Sequence, residues 1–301
     1  MDELREASTG VTWSHPGGNG LIVSSTLARL GVHTTLCAQV GDDATGELIR
    51  HFLERSRVDT SDLGVAHGIQ SRRCRIRIDP NGEWQPETAT PPSFPFLPDR
   101  FLHSVAGCDR FHLAGLPVML RFAPNETTRL LHAYRDKGTP VSLSLSQFTP
   151  PERDRLLAGI APCDFLFCAL SEFRHLVGTE IAGRDDCLGA LATSPFLNCV
   201  VTLGAVGAVA KWSGTQLLSA KTAAVRARNT VGAGDVLTAA FLAAWLREPD
   251  PTSALRTAVA TASLAVQARA WDDWLSSDID SELERCDVST VADPKTLPRH
   301  G

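Results

Sequence analysis

The chain has 301 residues, 43% hydrophobic and 21% charged, a balance ordinary for a globular protein with a sizeable core. Its formal net charge of -5 supplies no basic field for a phosphate backbone, so nucleic acid is excluded as the expected partner and small metabolites are favoured. The eight cysteines include no Cys-x-x-Cys pair and no histidine at zinc spacing, and most lie in apolar runs, as core residues of a protein in a reducing compartment do.

In chain order, Met1 to Thr9 is charged and carries no apolar leader. Pro16-Gly17-Gly18-Asn19-Gly20 opens a helix that ends at Leu30-Gly31. Thr34 to Val40 reads as a strand and Gly41-Asp42-Asp43 as a turn in which Asp43 suits an N-cap. Leu48, Ile49, Phe52 and Leu53 then form the apolar stripe of a helix. Arg73 to Asp79 alternates Arg73, Arg75 and Arg77 against Cys74, Ile76 and Ile78 and turns at Asp79-Pro80-Asn81-Gly82, which predicts a β-hairpin with one charged face. Pro86 to Pro98 reads as a connector back to the main sheet.

Arg110 to Ala114, Val141 to Leu145, Asp164 to Cys168 and Asn198 to Leu203 are predicted strands, with Thr127, Leu130, Leu131 and Tyr134 marking a helix between the first two. Gly31, Gly138 and Gly178 follow helical runs where a left-handed cap is expected. Leu255, Val259, Ala262 and Val266 mark a late helix started by Asp250-Pro251. The tail after Trp274 is polar and predicted to pack loosely. The longest apolar run, Val236 to Leu246, is too short to span a bilayer, so a cytoplasmic protein without membrane association is expected. The rhythm is that of an α/β fold whose mainly parallel sheet is covered by helices.

The segment richest in chemistry is Asn229-Thr230-Val231-Gly232-Ala233-Gly234-Asp235, a glycine turn feeding an apolar helix. Glycines let amide groups converge on an anion, and the helix N-terminus adds partial positive charge. An aspartate in that first turn can take the proton from an attacking hydroxyl. Positioning, a metal ion and charge stabilisation are most of what phosphoryl transfer needs. Taken alone, such a turn can equally be only a turn.

With Gly17-Gly18-x-Gly20 early and this segment late, the sequence resembles the ribokinase-like (PfkB) carbohydrate kinase family, from about Ser14 to Arg269. The resemblance implies an αβα domain over 1–301 with a small β lid near 9–18 and 69–88, and an ATP-dependent transfer to a hydroxyl of a sugar, sugar phosphate or nucleoside. It implies Asp235 as base and the Gly232, Ala233 and Gly234 backbone as anion hole. Gly17, Gly18 and Asn19 would contact the acceptor. Arg72, Arg73, Arg75 and Arg77 could bind a substrate phosphate from the lid, since guanidinium forks match phosphate oxygens, unless that strand face is merely solvated. Thr202, Gly204, Gly207 and Thr230 would lie on the nucleotide side, and Glu172 would serve magnesium. Lids of the family often pair between subunits, which makes a homodimer the implied assembly.

Three departures accompany the resemblance. The family's apolar first strand, with its substrate-binding aspartate, has no counterpart in Met1 to Trp13, which places the true start upstream or leaves the sheet a strand short. Ala169 stands where the family's Asn-x-x-Glu pattern has asparagine, so weakened magnesium binding or turnover is expected. Asn229 replaces a leading aspartate, so little potassium stimulation is expected. The rival function is a catalytically impaired sugar-binding or regulatory relative. A dinucleotide oxidoreductase is disfavoured because Gly232-x-Gly234 lacks the third glycine.

Overall fold

The computed structural model describes residues 4–7, 10–12, 14–78, 84–89, 107–146, 148–160, 163–273 and 279–291. Strands β1 (Leu4–Ala7) and β2 (Gly10–Thr12) pair antiparallel with each other, apart from every other sheet. Helix α1 (Asn19–Arg29) follows, and its Leu21, Ile22, Val23 and Leu27 are buried. Strand β3 (Ala38–Gly41) and helix α2 (Ala44–Arg55) lead to β4 (Leu63–Ala66), which pairs parallel with β3. Asp43 caps α2 as expected, accepting from Gly46 N at 2.9 Å. The predicted stripe of α2 needs one correction. Leu48 is 48% exposed because it sits one position off the face formed by Ile49, Phe52 and Leu53.

Strands β5 (Cys74–Ile78) and β6 (Trp84–Ala89) form the expected hairpin as a separate two-stranded sheet. Its turn at Asp79 to Gly82 lies outside the described residues. Pro86, expected in a connector, is within β6 opposite Ile76, a position open to proline in a two-stranded ribbon whose strands are both edges. Glu87 to Ala89, also expected in the connector, complete the same strand, and residues 90–98 lie outside the described residues.

The central sheet is built from β7 (Phe111–Ala114), helices α3 (Leu116–Phe122) and α4 (Pro124–Asp136), β8 (Val141–Ser144), α5 (Arg153–Ile160), β9 (Phe165–Ala169), α6 (Leu170–Val177), α7 (Arg184–Thr193) and β10 (Cys199–Thr202). These four strands run parallel in the order of the chain. Two antiparallel strands, β11 (Ala208–Trp212) and β12 (Gln216–Lys221), extend it. After helices α8 (Ala233–Arg247), α9 (Pro251–Gln267) and α10 (Ile279–Glu284), strand β13 (Asp287–Val291) closes the edge against β12. The tail predicted to pack loosely therefore supplies an edge strand. Val288 and Val291, three positions apart and packed against opposite layers of the core, are too sparse an apolar pattern to stand out.

Alternation along each strand divides the core into layers. Phe165, Phe167 and Val200 pack with α1, α8 and α9, whereas Leu166, Cys168, Cys199 and Val201 pack with the α3 to α7 side. The result is the expected α/β fold with helices on both faces of a mainly parallel sheet. Helix α8 is apolar on most of its surface because α1, α9 and the sheet enclose it. The predicted caps Gly31, Gly138 and Gly178 all have positive φ. Among the described residues no helix is long and apolar enough to cross a membrane.

Candidate active site

Open α/β sheets place ligands beyond the carboxyl ends of their parallel strands. Here those ends are Ala114, Ser144, Ala169 and Thr202, and the ladder aligns Ala114 with Ser144 and Ala169 with Thr202. The N-termini of α1 and α8 meet at this edge, because the side-chain amide of Asn19 donates to Asp235 Oδ1 at 3.1 Å. The early and late glycine segments are thus joined directly.

Gly232 caps α8 at φ 79. A Cβ there would lie 2.9 Å from Ile22 Cδ1 and 3.3 Å from Trp271 Cβ, so both backbone and packing demand glycine. The first amides of a helix have no intrahelical partner. Ala233 N donates to Thr230 O at 3.2 Å, which leaves the amides of Gly232 and Gly234 to carry the anion-binding expectation. Among the described residues nothing lies within 4 Å of a Cβ built at Gly17, Gly18 or Gly234.

Burial raises Asp235 to about 6, opposed by the Asn19 hydrogen bond. Glu172 rises to about 7, first through burial, against the hydrogen bond from Ala169 N, and then through the charge of Asp235. The asymmetry has a simple cause: Asp235 ionises first, so Glu172 loses its proton in the presence of a charge already formed. Two desolvated carboxylates that repel each other suit a divalent cation. Among the described residues no three His, Cys, Asp or Glu side chains group to hold a metal by themselves. Glu172 would therefore hold such an ion with water and phosphate oxygens, and the ion would supply charge neutralisation there.

The other predicted residues divide. Thr202 ends β10 beside Ala169, on which Glu172 Oε2 closes at 2.8 Å. Among the described residues nothing lies within 4 Å of a Cβ built at Gly204, but a Cβ at Gly207 would meet Ala220 O at 2.1 Å, so that glycine is required by the sheet itself. Thr230 is held in the turn through its carbonyl. Arg75 is exposed on β5, and no contact among the described residues ties it to Asp235 or Asn19. Its neighbours Arg73 and Arg77 pair with Asp43 and Glu87.

Asn229 is 7% exposed and uses both ends of its amide, donating to Arg269 O at 2.9 Å and accepting from Val231 N at 2.9 Å. Ser144 and Ser146, not singled out from the sequence, have buried hydroxyls without a hydrogen-bond partner among the described residues. Ser146 Oγ and Asn19 Oδ1 lie 3.8 and 3.7 Å from the position a Cβ of Gly115 would take. Serines at alternate positions of a buried strand were the available signal.

The pfkB family carbohydrate kinase model matches residues 6–273. The chain belongs to that family. It is a sugar kinase by this membership and by its relatives. It is 28% identical to a fructokinase of Klebsiella pneumoniae, over 82% of this chain and 83% of the relative, and 28% identical to a 1-phosphofructokinase of Vibrio cholerae, over 84% and 79%. Among solved structures, a putative ribokinase II from E. coli in complex with ATP and Mg2+ superposes with a TM-score of 0.78 at 19% identity, covering 94% of each chain. A fructokinase from Vibrio cholerae O395 with fructose, ADP and calcium ion bound gives 0.76 at 20% identity, covering 93% and 95%. These likenesses show the same fold for this pfkB-family kinase.

Proposed function

We propose that this kinase uses ATP and magnesium to phosphorylate a hydroxyl of a sugar or sugar phosphate, with Asp235 as general base. The observation that carries the proposal is the Asn19–Asp235 hydrogen bond, which unites an acceptor loop with an aspartate at a helix N-terminus. Asp235, with a pKa of about 6, is ionised at neutral pH and still a competent proton acceptor. It takes the proton as the acceptor oxygen attacks the terminal phosphorus of ATP, and ADP leaves. Gly232 and Gly234 direct their amides at the transferring group, and the dipole of α8 adds to their field. The loop of Gly204 lies on the nucleotide side. The hairpins of β1–β2 and β5–β6 form the lid, with 1–301 acting as one kinase domain.

The structural relatives with bound fructose and ADP, or with ATP and Mg2+, support this pairing of ligands. Fructose, ribose, fructose 1-phosphate and ribose 1-phosphate, each tested with ATP and magnesium for acceptor-dependent ADP release, form the decisive panel. Turnover of at least one supports the proposal. Binding of an acceptor without turnover would favour the impaired relative that Ala169 suggests.

A further inference from the structure

His15 lies just ahead of the Pro16-Gly17-Gly18-Asn19 loop, and both ring nitrogens meet oxygen. Nδ1 is 2.8 Å from Pro16 O, and Nε2 is 2.8 Å from Asp272 Oδ1. The second contact is an ion pair more than a hydrogen bond, since among the described residues no well-aimed donor reaches Asp272 Oδ1. A neutral imidazole carries one N–H and can serve only one of these oxygens, and the Asp272 carboxylate 2.8 Å from Nε2 attracts a charged ring. The surroundings therefore favour the imidazolium.

The surroundings make this cation a fastening for the loop. Trp271 Nε1 also donates to Pro16 O, at 3.2 Å, and the same tryptophan packs against Gly232. The His15 ring sits edge-on to Phe52 and Trp271 at 5.8 Å from each. One turn thus touches the loop that carries Asn19 and the turn that precedes Asp235.

We propose that protonated His15 is a positioning residue that holds the Pro16–Asn19 loop for the acceptor, so that acceptor affinity falls as His15 loses its proton. This rests on the reading of that loop as the acceptor site. Among the described residues, the charged groups around the ring are Arg29 of α1, which also pairs with Asp272 at 3.5 Å, Asp272 and Asp273 of the turn, and Arg55 of α2, which acts on Arg29. Burial opposes the charge of His15, but Asp272, the Pro16 carbonyl and Asp273 outweigh it and hold the pKa above the ordinary 6.5. The fastening is therefore complete below that value and is lost as pH rises through the folded pKa. Asp235 needs the opposite, so the two ionisations bound a window of activity.

The test is the KM for the best acceptor of the panel, and for ATP, between pH 6.5 and 9. In the wild type the acceptor KM should rise about tenfold, the loss of one charge-assisted contact, while the KM for ATP stays constant. His15→Gln should abolish the pH dependence, and Asp272→Asn should move it to lower pH with the histidine still present. A flat acceptor KM in the wild type, or an unchanged rise in His15→Gln, overturns the proposal.

An NMR titration of wild-type His15, with amide-exchange protection at Gly17 to Asn19, tests the fastening without turnover. Protection should fall above the imidazole pKa, and protection independent of that pKa overturns the proposal. If no panel member is phosphorylated, the reading of function fails, yet this measurement still decides the role of His15.

Discussion

Asn19 Nδ2 donates to Asp235 Oδ1 at 3.1 Å between residues 216 positions apart, and the bond favours the charged carboxylate against its burial. Removing the donor in Asn19→Ala should raise the Asp235 pKa above its present value of about 6. The acid limb of the kcat–pH profile should move to higher pH. An unmoved limb would separate the hydrogen bond from the ionisation that governs turnover.

The same elevation affects stability. With Asp235 raised from 3.8 to about 6 in the folded chain, the native state holds its proton longer than the unfolded state. Stability therefore falls as pH climbs from 3.8 to about 6 and stays reduced above. Asp235→Asn should remove that loss and stabilise the protein at pH 7 by roughly 1–2 kcal/mol, discounted for the partly exposed carboxylate. Thermal melts at pH 4 and pH 7 check the sign: the gain should be present at pH 7 and small at pH 4.

Glu172 closes on Ala169 N at 2.8 Å, at the start of α6. Ala169 is an N-cap with extended backbone, φ -81 and ψ 160, but no side-chain acceptor. Ala169→Asn should supply the missing cap and raise stability by about 0.5–2 kcal/mol. It should also lower the magnesium concentration needed for half-maximal turnover, measured by metal titration at saturating ATP. Glu172→Gln should raise that concentration.

Asn229 gives its Nδ2 to the Arg269 carbonyl. In Asn229→Asp a carboxylate oxygen would face that carbonyl with no proton between them. A loss of about 1–3 kcal/mol is expected from a buried acceptor left unpaired, read as a lower midpoint of urea denaturation. Replacing sodium by potassium should change wild-type turnover little.

Strands such as Val141 to Ser144 and Cys199 to Thr202 were readable because both sheet faces are covered, leaving short apolar runs bounded by turns. Strand β13 was not, since it is a half-exposed edge with few apolar side chains. The Gly232-Ala233-Gly234-Asp235 turn was readable because its chemistry is contiguous. The Asn19 contact with Asp235 and the His15 contact with Asp272 were not, because each joins residues that only tertiary folding brings together. Asn229 looked like a lost cation ligand. Its two hydrogen bonds give the amide a reason of its own.

The most direct test of the central claim is phosphoryl transfer by Asp235→Asn, measured as a single turnover at saturating ATP, magnesium and acceptor. Acceptor affinity should be kept, and the transfer rate should fall by about 10²–10⁴-fold, the usual contribution of a positioned base. Transfer within a few-fold of wild type, with the fold intact, would show that Asp235 is not the base.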